Sequence, residues 1–272
     1  MQGFRFAASR TNRARMTDTI PPVTTETFPG FGGAPLALHR MGSGRPLVLL
    51  HGLFSSAQVN WIKFGTAAQL AAAGFECLMP DLRAHGQSAA PHDPAAYPPD
   101  VLVRDAQALV AHLGLTDFDL GGFSLGARTA ARCVLAGMAP RRLMLAGMGL
   151  EGLAGWARRR DFFLDVIDRA GTIKHGDPAF AAQAFMKTMK IDGAAARLLL
   201  GSMEDTAPAD LAAITMPALV LCGDQDDDNG SADRLVAALP DARRAIIPGT
   251  HMSSVTMPEM GAAMVAFFTS QA

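Results

Sequence analysis

A serine hydroxyl attacks a carbonyl carbon only when a neighbouring base takes its proton and a third group holds that base in the right tautomer. Three stretches of the chain carry groups of these kinds, in order. DLGGFSLGAR, from Asp119 to Arg128, sets Ser124 between Gly122 and Gly126. GDQDDDNG, from Gly223 to Gly230, is an acidic run directly behind ALVLC, and GTHMSS, from Gly249 to Ser254, puts His251 directly behind RAIIP. The G-x-S-x-G spacing suits a strand that turns sharply into a helix. Such a turn holds the serine in a sparsely populated backbone conformation, and side chains two positions to either side would collide across the bend. Ser124 is therefore the expected nucleophile toward an acyl carbon and His251 the base and then the acid. An aspartate of the acidic run would orient His251.

Elements of fixed order must bring these groups together. PLVLL (Pro46 to Leu50), FECLM (Phe75 to Met79), FDLGG (Phe118 to Gly122), RLMLAG (Arg142 to Gly147), ALVLCG (Ala218 to Gly223) and RAIIP (Arg244 to Pro248) read as buried strands. Between them, Leu102, Ala106, Leu109, Val110 and Leu113 recur at helical spacing, as do Ala232, Leu235, Val236 and Leu239. The segment from Gly126 to Gly137 is rich in good helix formers. The alternation predicts an α/β fold: a mostly parallel central sheet, helices on both faces, and a site on the loops at the carboxyl ends of the strands. An earlier pair around Thr25 to Phe31 and Leu36 to Met41 reads as an antiparallel hairpin on one edge. From about Leu150 to Ile214 no strand-like run occurs, whereas DFFLDVIDRA and AFAAQAFMKTMK are helical and HGDP marks a turn between them. This interval reads as an inserted helical lid. The expected organisation is a disordered arm over residues 1–24, an α/β core over 25–149 and 215–272, and a helical cap over 150–214.

A chain of 272 residues, nearly half apolar and with a formal net charge of -1, is expected to be globular and offers no basic field for nucleic acid. Cys77, Cys133 and Cys222 lie in apolar runs without metal-type spacing and read as buried free thiols, which suits a reducing cytoplasm. The first residues carry Arg5, Arg10, Arg13 and Arg15 but no apolar stretch fit for a secretory signal, so they are expected to form a disordered extension, with Met16 as an alternative translation start to Met1. No run of about 18 apolar residues predicts a membrane span.

With order and motifs combined, the chain from about Thr25 to Phe268 resembles the α/β-hydrolase superfamily. HGLFSS at His51 to Ser56 is similar to the family's oxyanion loop, DLRAHGQS at Asp81 to Ser88 to its D-x-x-G-x-G-x-S segment, and GFSLG to its nucleophile elbow. Ala84 departs from the usual glycine, and Ala127 stands where another glycine is common after the elbow. The resemblance implies that the backbone N–H groups of Leu53 and Leu125 form the oxyanion hole, with Phe54 the weaker alternative to Leu53. It implies Asp226 as the acid, because the family pattern G-x-x-D counts from Gly223; Asp224, next to the strand, and Glu151, after the preceding strand, are the competitors. Asp227 and Asp228 read as solvated loop charges. His51 and His85 sit in motifs where the side chain is structural, while His39, His92, His112 and His175 have no partner pattern. No metal-ligand set and no cofactor are expected.

The family covers many reactions, and Ser124 speaks against the dehalogenases and epoxide hydrolases, which carry aspartate at the elbow. The expected activity is cleavage of carboxylic esters of small to medium apolar substrates through an acyl-enzyme. Alternatives are a carbon–carbon bond hydrolase of ring-cleavage products, a cofactor-free haloperoxidase or oxygenase, and a silent ligand-binding receptor on a hydrolase fold. Phe54, Met148, Trp156, Phe163 and Met252 are the expected pocket residues. Phe162, Phe185, Met186 and Met189 add apolar lid surface, much of it for packing the lid helices. Arg158, Arg159 and Arg160 read as a solvated helix face rather than as contacts for an anionic group.

Overall fold

The computed structural model describes residues 21–270, so the expected arm lies outside the described residues through position 20, as do both candidate start codons. A hairpin comes first: β1 (Thr24–Pro29) pairs antiparallel with β2 (Pro35–Gly42). Then come β3 (Arg45–Leu50), α1 (Thr66–Ala72), β4 (Phe75–Pro80), α2 (Val101–His112), β5 (Asp119–Phe123), α3 (Leu125–Leu135) and β6 (Leu143–Ala146). Four helices follow: α4 (Leu150–Ala154), α5 (Trp156–Asp168), α6 (Phe180–Thr188) and α7 (Gly193–Gly201). The chain then returns to the sheet with β7 (Ala218–Gly223), α8 (Ala232–Ala238), β8 (Ala242–Ile247) and α9 (Pro258–Thr269). The sheet has eight strands in the order β1-β2-β4-β3-β5-β6-β7-β8, antiparallel at the hairpin end and parallel from β4 onward.

Strands in the middle of such a sheet are covered on both faces, which is why their sequences are continuously apolar rather than alternating. In β3, Val48 and Leu50 join the core that holds α2, α3 and α8, while Leu47 and Leu49 join the opposite core with α1 and α9. The first core contains Leu120, Leu143 and Val220 against Ala127, Ala130 and Leu235; the second contains Met144 and Leu221 against Leu70, Met264 and Phe268. RAIIP departs from the expected buried strand. β8 is the edge of the sheet, so only Ile247 is buried there and Ile246 is 58% exposed; no strand pairs beyond β8 among the described residues. The three cysteines are buried and free. Among the described residues, no helix is long and apolar enough to cross a membrane.

The turn from β5 into α3 leaves no room for side chains on either flank. Ser124 has φ 54° and ψ -112°, a left-handed φ that costs a non-glycine residue about 1–3 kcal/mol. A Cβ on Gly122 would sit 2.2 Å from the backbone carbon of Gly126, and a Cβ on Gly126 would sit 2.0 Å from the carbonyl oxygen of Leu50. Neither neighbour is the movable end of a side chain, so glycine at both positions is a steric requirement. Gly122→Ala and Gly126→Ala are each expected to lower the melting temperature by about 5 °C or more through overpacking. Calorimetry checks this, and melting within about 1 °C of the parent would show that the turn has room.

Candidate active site

Ser124 stands at the carboxyl end of β5, its N–H donating to the carbonyl of Ala146 at 2.8 Å. The loops after β7 and β8 approach it from one side, and they are close enough that a Cβ on Gly223 would lie 2.0 Å from the carbonyl oxygen of Gly249. That contact sets the acidic run beside the turn carrying His251. His251 Nε2 lies 3.0 Å from Ser124 Oγ, and His251 Nδ1 lies 3.0 and 3.1 Å from the carboxylate oxygens of Asp226. The Asp226 side chain is 1% exposed and accepts only from donors, so Nδ1 carries the proton and Nε2 is left to accept from the serine. The ring of His251 also packs on Phe123, with centroids 4.9 Å apart.

The competing acids are occupied elsewhere. Asp224 accepts from the N–H of Gly249 at 2.8 Å, one bend away from the imidazole. Glu151 accepts from the N–H of Ser231 at 2.7 Å and pairs with Arg234, tying α4 to the acidic loop. Asp227 and Asp228 are exposed.

Two amides near the serine have no hydrogen-bond acceptor among the described residues. Leu125 opens α3, where an N–H has no helical acceptor. Leu53 follows His51 and Gly52, and the next amide, that of Phe54, is already consumed: it donates to His85 Nε2 at 3.0 Å. Phe54 has φ 58°, a left-handed backbone at this turn. His85 donates from Nδ1 to the carbonyl of Arg83 at 2.9 Å; His51 donates from Nδ1 to the carbonyl of Gly52 at 2.8 Å and accepts at Nε2 from Leu82 at 2.9 Å. Both rings are thus neutral struts between the loop after β3 and the loop after β4. Burial, with the neighbouring His51 ring adding to it, pushes His85 down to about 3. Burial pulls Asp81 upward, but hydrogen bonding from His39 and the N–H groups of Gln87 and Ala57 prevails and leaves it at about 2. Ala84, in the same loop, has φ 66°, which is the physical reason a glycine suits that position.

Two cavities open at Ser124. The larger, about 220 Å³, is walled by Val59, Phe64, Phe185, Met252 and Val255, with Ser124 and His251 at its floor. The smaller, about 20 Å³, is lined by Leu125, Met148, Trp156, Arg159, Phe163 and Asn229 among others. Met148, Trp156 and Phe163 line the smaller cavity and Met252 the larger. Phe54 lines neither. It is 2% exposed and packs edge-on to Phe163 at 5.6 Å beside Met186 and Ala196, because its left-handed backbone turns the side chain into the lid contact. Arg159 is a second correction: it is half-buried over the Phe163 ring at 5.6 Å, whereas Arg158 is exposed and Arg160 pairs with Asp161. Val59, Asn60 and Phe64 were missed, since they come from a helical turn (Gln58–Ile62) and its exit that have no motif of their own.

The histidine struts have a pH signature. His85 has an ordinary value of 6.5 and a folded value of about 3, so over that window the unfolded chain binds a proton that the native chain does not. Its stabilisation is complete above 6.5 and is lost as pH falls toward 3. His85→Gln keeps an acceptor for Phe54 without the titration, and is expected to lose melting temperature less steeply than the parent between about pH 6.5 and about pH 4. Parallel slopes would assign the acid sensitivity to another group.

Comparison with known proteins points the same way as this geometry. Residues 45–143 match the family model of the alpha/beta hydrolase fold. A non-heme haloperoxidase of Rhodococcus erythropolis is 29% identical over 271 aligned residues, covering 84% of this chain and 94% of that protein. N-formylmaleamate deformylase of Pseudomonas putida is 31% identical over 140 residues, 50% of each chain. The solved esterase of Exiguobacterium antarcticum has a TM-score of 0.74 at 19% identity, over 90% of this chain and 99% of that one, which is a likeness of fold. By its sheet order and by the family model that residues 45–143 match, the chain has the alpha/beta hydrolase fold.

Proposed function

We propose that the protein is a serine hydrolase that cleaves carboxylic esters of small to medium apolar substrates through an acyl-enzyme. One observation carries the reading: an unbroken hydrogen-bonded chain from Ser124 through His251 to Asp226, at the floor of an apolar cavity. Ser124 Oγ attacks the ester carbon while its proton passes to His251 Nε2, and Asp226 stabilises the imidazolium. The carbonyl oxygen becomes an oxyanion held by the N–H groups of Leu53 and Leu125, one such donor contributing about 3 kcal/mol to the barrier reduction. The tetrahedral intermediate collapses as His251 protonates the departing alkoxide, leaving an acyl-serine and a free alcohol. Water then attacks the acyl carbon, giving a proton to His251, and the second collapse returns that proton to Ser124 and releases the acid. The helices α4 to α7 act as a cap over this chemistry, with α5 and α6 supplying Trp156, Phe163 and Phe185 to the cavity walls.

A second reading, a cofactor-free haloperoxidase, is supported by the relative from Rhodococcus erythropolis. It uses the same three side chains and is separated by its need for peroxide and halide.

A fluorophosphonate probe is expected to label Ser124 alone, as read by digestion and mass spectrometry; labelling elsewhere, or none, removes the nucleophile. Ser124→Ala, His251→Ala and Asp226→Asn are each expected to lower p-nitrophenyl ester turnover by about 10⁴-fold or more. Asp224→Asn and Glu151→Gln should remain within about tenfold of the parent. Equal turnover in the parent and Ser124→Ala would end the ester reading, and bromination of a phenol that depends on both peroxide and Ser124, without ester cleavage, would replace it with the second.

A further inference from the structure

The two cavities that meet at Ser124 differ in kind. The larger is apolar in its walls, whereas the smaller is lined by two guanidinium groups, Arg128 and Arg159, and by no carboxylate. Arg128 is 2% exposed and lies over the Trp156 ring at 5.2 Å. Its terminal nitrogens are bonded to the carbonyls of Gly152, Leu153 and Glu204 and to Asp205, but its Nε is buried with no acceptor among the described residues. Arg159 is half-buried on α5, donates to the carbonyl of Asp228, and has no carboxylate in ion-pair contact among the described residues. Burial lowers its proton affinity, opposed by the more distant charges of Asp228 and Asp226.

A partly desolvated guanidinium with no carboxylate in direct contact is costly to keep, and Arg159 is kept so in a lobe that it shares with Ser124. The amino end of α3 adds the positive pole of its dipole at Leu125. Space decides what fits. At about 20 Å³ the lobe only just exceeds the ~10–15 Å³ that one water needs, so it admits a group about the size of one carboxylate oxygen, and the charge of its lining rather than its size favours an anion over an alkyl end. A carboxylate also matches the planar fork of an arginine side chain.

We infer that the substrate is an acidic ester, whose carboxylate, a few bonds from the scissile carbonyl, enters the lobe of Arg159 and Arg128 while the apolar remainder fills the 220 Å³ cavity. The assignment rests on the ester-hydrolase reading and adds the charge of the substrate to it. Arg159 is the specificity-determining residue, and Arg128, which is committed to four other acceptors, supplies fixed positive charge behind it.

Mono-p-nitrophenyl glutarate and p-nitrophenyl valerate test the inference, since they differ only in a terminal carboxylate in place of a methyl group. The parent is expected to favour the glutarate in kcat/KM, and Arg159→Met to lower the glutarate-to-valerate ratio by about 10- to 100-fold, mainly through KM. Arg159→Lys should recover part of it. A parent that prefers valerate, or a ratio unchanged in Arg159→Met, overturns the inference. Calorimetric titration of glutarate into Ser124→Ala, with and without Arg159→Met, reads the lobe without turnover. Affinity weaker by about tenfold or more in the double variant supports the inference, and equal affinities overturn it. Glutarate binding that depends on Arg159 in a protein that cleaves neither ester would sink the ester-hydrolase reading and leave the anion site standing.

Discussion

The carbonyl oxygen of Leu50 stands where a side chain on residue 126 would have to go. Because Gly126 leaves that space open, α3 seats its first turn against the end of β3, and the chain leaving β5 has only one sharp path into the helix. Ser124 takes the strained backbone conformation on that path, and its hydroxyl is presented at the carboxyl edge of the sheet. The strain of about 1–3 kcal/mol is held by its surroundings: β5 is buried along its whole length between β3 and β6. The same seating puts the first amide of α3 beside the loop that follows β3, so nucleophile and both candidate oxyanion donors derive from one packing contact.

Rigidity in the loop after β3 comes from neutral imidazoles rather than charges. His51 and His85 each use one ring nitrogen to donate and the other to accept, which fixes their tautomers and pins backbone groups that would otherwise be buried without partners. His85 takes the Phe54 amide, so that N–H is not free to bind another group. The carboxylate of Asp81 holds the other side of the loop through the N–H of Ala57. Full burial makes such a network stiff, and it makes the loss of one member expensive.

The helical segment between β6 and β7 contributes from above. Glu151 and Arg159 both bond to the loop that carries Asp226, so this helical segment and the acidic loop are braced together. From α5 come Trp156, Arg159 and Phe163, and from α6 comes Phe185, dividing the space over Ser124 into an apolar cavity and a small cationic one. In the reading proposed here, the division assigns the two ends of a substrate to different chemistry.

Much of this was legible in the chain itself. Strand order, the helical interval and the glycines around Ser124 follow from local causes: continuous apolar runs where a strand is covered on both faces, and missing side chains where a turn has no room for them. Asp226 was implied by the family pattern counted from Gly223, and its loop, which runs from β7 into α8, places it at 3.0 Å from the imidazole. Other features depended on contacts between distant segments. β8 became a half-exposed edge because no strand pairs beyond it among the described residues, Phe54 packs against Phe163 and Met186, and Arg159 is half-buried because α5 docks with that residue toward the space over Ser124. Periodicity tells which face of a helix is apolar but not what an arginine on its border will meet. The sequence alone determined the order of the elements and the residues able to react; the tertiary structure decided which charges were desolvated beside them, because burial is a property of the packed whole.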